Sequence, residues 1–190
     1  MGRLGRVSLR DLMSPPNLAT LARLALVPAV ILLMARDGRG AALVVLLIMF
    51  ATDGLDGYLA RRLGRVTELG KVLDPLADKL AVGAVLLYLT VVGEFPLWAF
   101  ALIALRDVAV GIGGIGLSMR RGTVPSALPV GKVTLVVLAM MTGAFVADVE
   151  VLEFPLMTAG LFMVVCSGIV YARAMYRGLT SVGAADAGGR

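Results

Sequence analysis

An all-α, polytopic membrane protein with six transmembrane helices and both termini in the cytoplasm is the expected fold, on three grounds. Apolar runs of spanning length recur through the whole chain, each broken by a short charged or Gly/Pro-bearing segment. Of the 190 residues, 59% are hydrophobic, which leaves too little polar surface for a water-soluble domain of this length. Basic residues gather in alternate breaks, as the positive-inside rule requires.

Residues 1–16 are an N-terminal juxtamembrane segment, where Leu9, Leu12 and Met13 opposite Arg10 and Asp11 suit a short interfacial helix. Ser14-Pro15-Pro16-Asn17 carries helix-start chemistry and opens the first span, Asn17–Ala35. That span contains Arg23 and is followed by no small-residue cleavage site, so it is not read as a signal peptide. Gly38 and Gly40 mark the turn into Ala41–Ala60, and Gly93 to Pro96 separate Val72–Val92 from Pro96–Ser118. Pro125 and Pro129 punctuate the loop before Val130–Ala147, and Leu152–Ala172 is the sixth span. Together the spans form one transmembrane domain, 17–178, while the small and polar residues 179–190 read as a disordered tail.

The orientation follows from charge. Arg3, Arg6 and Arg10, then Arg61, Arg62, Arg65 and Lys71, then Arg120 and Arg121, then Arg173, Arg177 and Arg190 fall on one side. The other side carries Arg36, Asp37, Arg39, Glu94, Asp148, Glu150 and Glu153. The net charge of +5 is therefore read as topology and as attraction to anionic head groups. Nucleic acid is excluded as a partner, since no polar domain exists to carry it. Cys166 lies in the last span without an intrachain disulfide partner and reads as packing. The chain has no histidine, which excludes His-based triads, zinc sites and imidazole proton shuttles.

Two patterns are set aside. Gly111-Ile-Gly113-Gly-Ile-Gly116 fits G-x-G-x-x-G but lies inside an apolar span, where small residues serve close helix packing. Gly131-Lys132 with Thr134 is similar to the end of a P-loop, but Ser126 stands where the upstream glycine is needed.

The informative stretch runs from Asp53 to Lys79. Asp53 and Asp56 share one helix face, as do Asp74 and Asp78, and the basic loop between them is short enough to set the two helices antiparallel. Four carboxylates then converge near the cytoplasmic side. Each costs about 2.5–3.5 kcal/mol in hydrocarbon, and together they repel. Protons, the nearby Arg61, Arg62, Lys71 and Lys79, or bound cations must balance them. A site of oxygen donors alone suits hard ions such as Mg²⁺, Mn²⁺ or Ca²⁺, and two divalent ions neutralise four carboxylates.

Asp53-x-x-Asp56-Gly57-x-x-Ala60-Arg61, eight residues, then Gly70-x-x-x-Asp74-x-x-x-Asp78 resembles the signature of the CDP-alcohol phosphotransferase family at every position. The resemblance implies that Asp53, Asp56, Asp74 and Asp78 ligate two divalent ions, Mg²⁺ or Mn²⁺, with Asp78 also the catalytic base. It implies that Asp53, Gly57, Ala60, Arg61 and Gly70 line the CDP site. Glycine at 57 and 70 allows close backbone approach, and the planar fork of Arg61 suits a diphosphate. The implied reaction transfers the phosphatidyl group of CDP-diacylglycerol to an alcohol, with release of CMP, at the cytoplasmic face of a bacterial inner membrane. A homodimer is compatible with the family.

The acceptor is less constrained. Pro16-Asn17-Leu-Ala-Thr20-Leu-Ala-Arg23 and Leu73-Asp74-Pro75-Leu76-Ala77-Asp78-Lys79 resemble both the phosphatidylglycerophosphate synthase branch and the eukaryote-type cardiolipin synthase branch. The first implies glycerol 3-phosphate as acceptor and the second phosphatidylglycerol. Arg106-Asp107 departs from the Arg-Glu usual in the former. Arg23, Arg106, Arg120 and Lys132 are the candidate acceptor-binding cations, Arg106 and Lys132 because they lie within or at the ends of spans. A divalent-cation transporter is the rival class. It accounts for the aspartates but not for Ala60, Arg61 and Gly70 at fixed spacing.

Overall fold

In the computed structural model the backbone is described for residues 15–62, 70–121 and 128–187, and the side chains for 21–52, 76–114 and 128–176. Among these residues the chain is all-helical, with six helices and no strand. They are α1 (Pro15–Met34), α2 (Arg39–Arg62), α3 (Gly70–Val91), α4 (Leu97–Arg121), α5 (Pro129–Ala147) and α6 (Glu150–Ala187). Each coincides with one expected span to within a few residues, apart from the end of α6. The interfacial helix expected before residue 14 lies outside the described residues.

α6 continues to Ala187 through residues where the sequence predicts a tail. Adding residues to an existing helix needs no new nucleus, and Ala184, Ala185 and Ala187 are strong helix formers.

Among the described residues three helices, over Leu97–Gly114, Pro129–Ala147 and Glu150–Tyr176, are long and apolar enough to cross a membrane. Leu21–Met34 and Arg39–Thr52 are shorter apolar stretches within the described side chains. α4 and α6 turn Leu105, Val108, Ile112, Phe162, Val165 and Ile169 outward. So large an apolar exterior is costly in water and suited to lipid.

Inside, α1 packs on α2 and α3, α5 on α2, α3 and α6, and α6 on α4. Val30, Leu46, Met49, Leu86, Met141 and Val164 meet along the axis, each almost wholly buried. Phe95 and Phe145 close one end edge-to-face, with ring centroids 5.0 Å apart. The buried hydroxyls of Thr134 and Thr142 donate to the carbonyls of Val130 and Leu138, at 2.7 and 2.8 Å, so neither is left unsatisfied in the apolar interior.

At the Phe95 end the three loops share one geometry. Gly38 N–H donates to Leu33 O at 2.8 Å, Glu94 N–H to Leu89 O at 2.9 Å and Val149 N–H to Ala144 O at 3.1 Å. Each spans a left-handed residue, Asp37, Gly93 or Asp148, which defines a Schellman C-cap. Arg39, the first residue of α2, clamps these loops together. It pairs with Glu94, approaches Asp148 at 3.8 Å and donates to Phe145 O at 3.3 Å. Its guanidinium is held above its ordinary pKa, first by the hydrogen bond to Glu94 and against the cost of burial.

Candidate active site

α2 and α3 supply the motif. Asp53, Asp56, Gly57, Ala60 and Arg61 lie on the second half of α2, and Gly70 and Asp74 on the first turns of α3. The side chains of these residues are outside the described residues, as is that of Arg120 on the last turn of α4. Asp78, one turn beyond Asp74, is described. It is only 17% exposed and accepts a hydrogen bond from Nη1 of Arg23 on α1, itself 5% exposed. The close packing of α1 on α3 brings these charges together across the bundle. A buried arginine beside a partly buried carboxylate offsets the desolvation of both.

The next residue along α3 faces a different helix. Lys79 Nζ lies 3.1 Å from Asp107 Oδ1 on α4. The same oxygen accepts from Arg106 Nη1 at 2.6 Å. Arg106 Nη2 donates to Ser167 Oγ on α6 at 2.8 Å, and the guanidinium carbon stands 5.6 Å from the centroid of the Tyr171 ring. Adjacent residues on α3 therefore belong to two connected groups, Asp78 with Arg23 and Lys79 with Asp107, Arg106 and Ser167.

Arg23, buried, and Arg106, with its side chain 9% exposed, are both expected at the site and are thus positioned on the two sides of α3. Lys132 is exposed near the start of α5, with no ion-pair partner among the described residues. Lys79, offered by the sequence as a counter-ion to the aspartates, pairs instead with Asp107 on α4. Asp107, Ser167 and Tyr171 are the contacts of Arg106, and the aspartate motif does not point to them. Ser167 and Tyr171 are four apart in an apolar span, so they share a face, and a hydroxyl pair within a span is itself a signal of buried polar contact.

The donors fit a hard divalent cation. Asp53, Asp56, Asp74 and Asp78 offer only carboxylate oxygens, and no histidine exists in the chain.

Comparison with known proteins defines the class. Residues 13–170 match the CDP-alcohol phosphatidyltransferase family. The chain belongs to that family and is a phosphatidyltransferase. It is 36% identical over 170 residues to a probable phosphatidylglycerophosphate synthase of Mycobacterium tuberculosis (strain ATCC 25618 / H37Rv), covering 84% of this chain and 80% of the relative. It is 39% identical over 125 residues to the CDP-diacylglycerol–glycerol-3-phosphate 3-phosphatidyltransferase of Aquifex aeolicus (strain VF5), covering 64% and 69%. A cardiolipin synthase (CMP-forming) of Streptomyces coelicolor (strain ATCC BAA-471 / A3(2) / M145) is 36% identical over 126 residues, covering 63% and 58%. Family membership decides for an enzyme over a cation transporter.

Proposed function

We propose that this chain is a phosphatidylglycerophosphate synthase, moving the phosphatidyl group of CDP-diacylglycerol to glycerol 3-phosphate with release of CMP. The observation that carries the choice of acceptor is Arg106, a mostly enclosed guanidinium held by Asp107, Ser167 and Tyr171 and joined through Asp107 to Lys79 beside Asp78. A fixed cation close to the base suits a small acceptor that bears a phosphate. The Mycobacterium relative, named a probable phosphatidylglycerophosphate synthase, and the Aquifex relative, named a glycerol-3-phosphate 3-phosphatidyltransferase, support the same acceptor.

All six helices span the membrane in this reading, with the termini and the aspartate motif on the cytoplasmic side. The basic residues of alternate loops support that orientation. Trp98 and Phe154, exposed near the Arg39 end, suit the opposite interface.

Asp53, Asp56, Asp74 and Asp78 would hold Mg²⁺ or Mn²⁺, which when bound would supply positive charge against the diphosphate and the departing CMP. Gly57, Ala60 and Gly70 admit the nucleotide, and Arg61 binds the diphosphate as a fork. Arg106 draws in the acceptor phosphate. Asp78 takes the proton of the acceptor hydroxyl, whose oxygen bonds to the lipid-linked phosphorus as the bond to CMP breaks. Arg23 stands behind Asp78 as its counter-charge on α1.

The test is CMP release by the purified protein from CDP-diacylglycerol with Mg²⁺ or Mn²⁺, offering glycerol 3-phosphate, phosphatidylglycerol, inositol phosphate and serine separately. Turnover with glycerol 3-phosphate, lost with a chelator and restored by either metal, is expected. Turnover with phosphatidylglycerol alone favours cardiolipin synthase, the second reading, which the Streptomyces relative supports. No CMP with any acceptor would sink the proposal.

A further inference from the structure

We infer that Tyr171 is a positioning residue for the acceptor: its ring carries the guanidinium of Arg106 and its hydroxyl ties that arrangement to the head of α5. The inference rests on the reading of Arg106 as the cation that binds the acceptor.

Tyr171 is held at both ends. Its ring face lies 5.6 Å from the Arg106 guanidinium carbon, within the range where a cation is attracted to an aromatic face. Its Oη accepts the N–H of Leu128, immediately before α5, at 3.2 Å. Gly131, on the first turn of α5, leaves room for it, because a Cβ there would fall 2.5 Å from Oη and 3.2 Å from the ring. The ring can neither slide toward α5 nor leave α4 without giving up one of these contacts.

Arg106 gains its orientation from that bracket. Ser167, one turn before Tyr171 on α6, accepts from Nη2 at 2.8 Å while its own hydroxyl donates to Val164 O at 3.0 Å. Asp107 takes Nη1 at 2.6 Å. Nε of Arg106 is buried and has no hydrogen-bond partner among the described residues, a donor still to be satisfied. A guanidinium held on two nitrogens and one face has its orientation fixed, which is what presenting its charge to an acceptor phosphate requires. Loss of the ring therefore weakens acceptor binding and spares the donor, whose motif lies on α2 and α3.

The experiment is steady-state kinetics on the full chain with glycerol 3-phosphate and CDP-diacylglycerol varied in turn. Tyr171→Leu should raise the KM for glycerol 3-phosphate about three- to thirtyfold, the range of one cation–aromatic contact, and shift that for CDP-diacylglycerol by less than about twofold. Tyr171→Phe, which keeps the ring, should recover most of the loss. Tyr171→Met fills the space without an aromatic face and replaces the leucine variant should that one not fold. An unchanged acceptor KM, an equal rise in both KM values, or a phenylalanine variant as impaired as the aliphatic one overturns the inference. Arg106→Gln separates the two levels. If it leaves the acceptor KM unmoved, the reading of Arg106 falls and the inference with it. If it raises that KM and the Tyr171 variants do not, the inference alone is wrong.

Discussion

Arg23 and Asp78 lie 55 residues apart in sequence and share a hydrogen bond across the bundle, with Arg23 5% exposed and Asp78 17% exposed. The pair gives the proposed base a fixed counter-charge from α1. Taking the guanidinium away from a partly buried carboxylate removes part of its compensating charge, so Arg23→Gln should destabilise the protein by about 1–3 kcal/mol. Thermal unfolding in detergent reads this directly. Arg23→Lys, which keeps the charge but not the fork, should lose less. A glutamine variant that melts like the wild type would show that the pair does not hold α1 to α3.

Asp78→Asn tests the other member. The amide oxygen can still accept from Arg23, so the fold should survive and CDP-diacylglycerol should still bind. Turnover should fall by about 10²–10⁴-fold, the usual contribution of a general base. Near-normal CMP release would remove Asp78 from that role.

How far these residues are legible in the sequence differs with the kind of contact. Helix positions follow from apolar runs and Gly/Pro breaks, because each helix satisfies its own backbone within a contiguous segment. Asp78 is legible because its motif is local. Arg23 stands out as a charge in an apolar span, yet its partner is not local, and sequence reading offers Arg61, Arg62, Lys71 and Lys79 to the aspartates instead. Tyr171 shows the limit more sharply. Its role comes from α4 and α5 meeting it, and nothing in Val170-Tyr171-Ala172 records either helix. The extension of α6 to Ala187 is missed for a different reason, since small residues mark a tail by composition while alanine favours helix.

Lys79 and Arg106 converge on one carboxylate, and the energetic link can be measured. A double-mutant cycle of Lys79→Met and Asp107→Asn should give a coupling of about 0.5–1.5 kcal/mol, since both side chains are only partly exposed. Unfolding midpoints of the two single variants and the double variant supply it. A coupling near zero would mean that the 3.1 Å approach does not bind α3 to α4.

Arg39 provides the contrast at the far end. Its partners Glu94 and Asp148 are 36% and 62% exposed, where ion pairs contribute about 0–1 kcal/mol. The raised pKa of Arg39 places the loss of its charge well above any working pH, because a cation with a raised folded-state value stabilises at all pH below it. Arg39→Gln should therefore lower the melting temperature only slightly, equally between pH 6 and 9, and leave both KM values alone. A change in turnover would tie the Schellman-capped loops to the active site after all.

Two glycines reverse the order that bare distance would give. A Cβ at Gly113 would run into Cε of Met175 and come within 2.5 Å of its Sδ, whereas a Cβ at Gly131 would meet Tyr171 Oη at 2.5 Å and its ring at 3.2 Å. Met175 ends in three soft torsions and can turn away, and alanine in a helix is favoured over glycine by about 1 kcal/mol. Gly113→Ala should therefore be close to neutral. Tyr171 is a rigid ring tethered to Leu128 and stacked on Arg106, so Gly131→Ala must push it off one of those contacts. Overpacking of that kind costs about 1–3 kcal/mol. It should also raise the KM for glycerol 3-phosphate, since the ring that moves is the one beneath Arg106. Melting temperature and acceptor KM measured on both variants separate the cases. Equal tolerance of the two alanines would mean that Tyr171 yields as easily as a methionine, and the bracket around Arg106 would be loose.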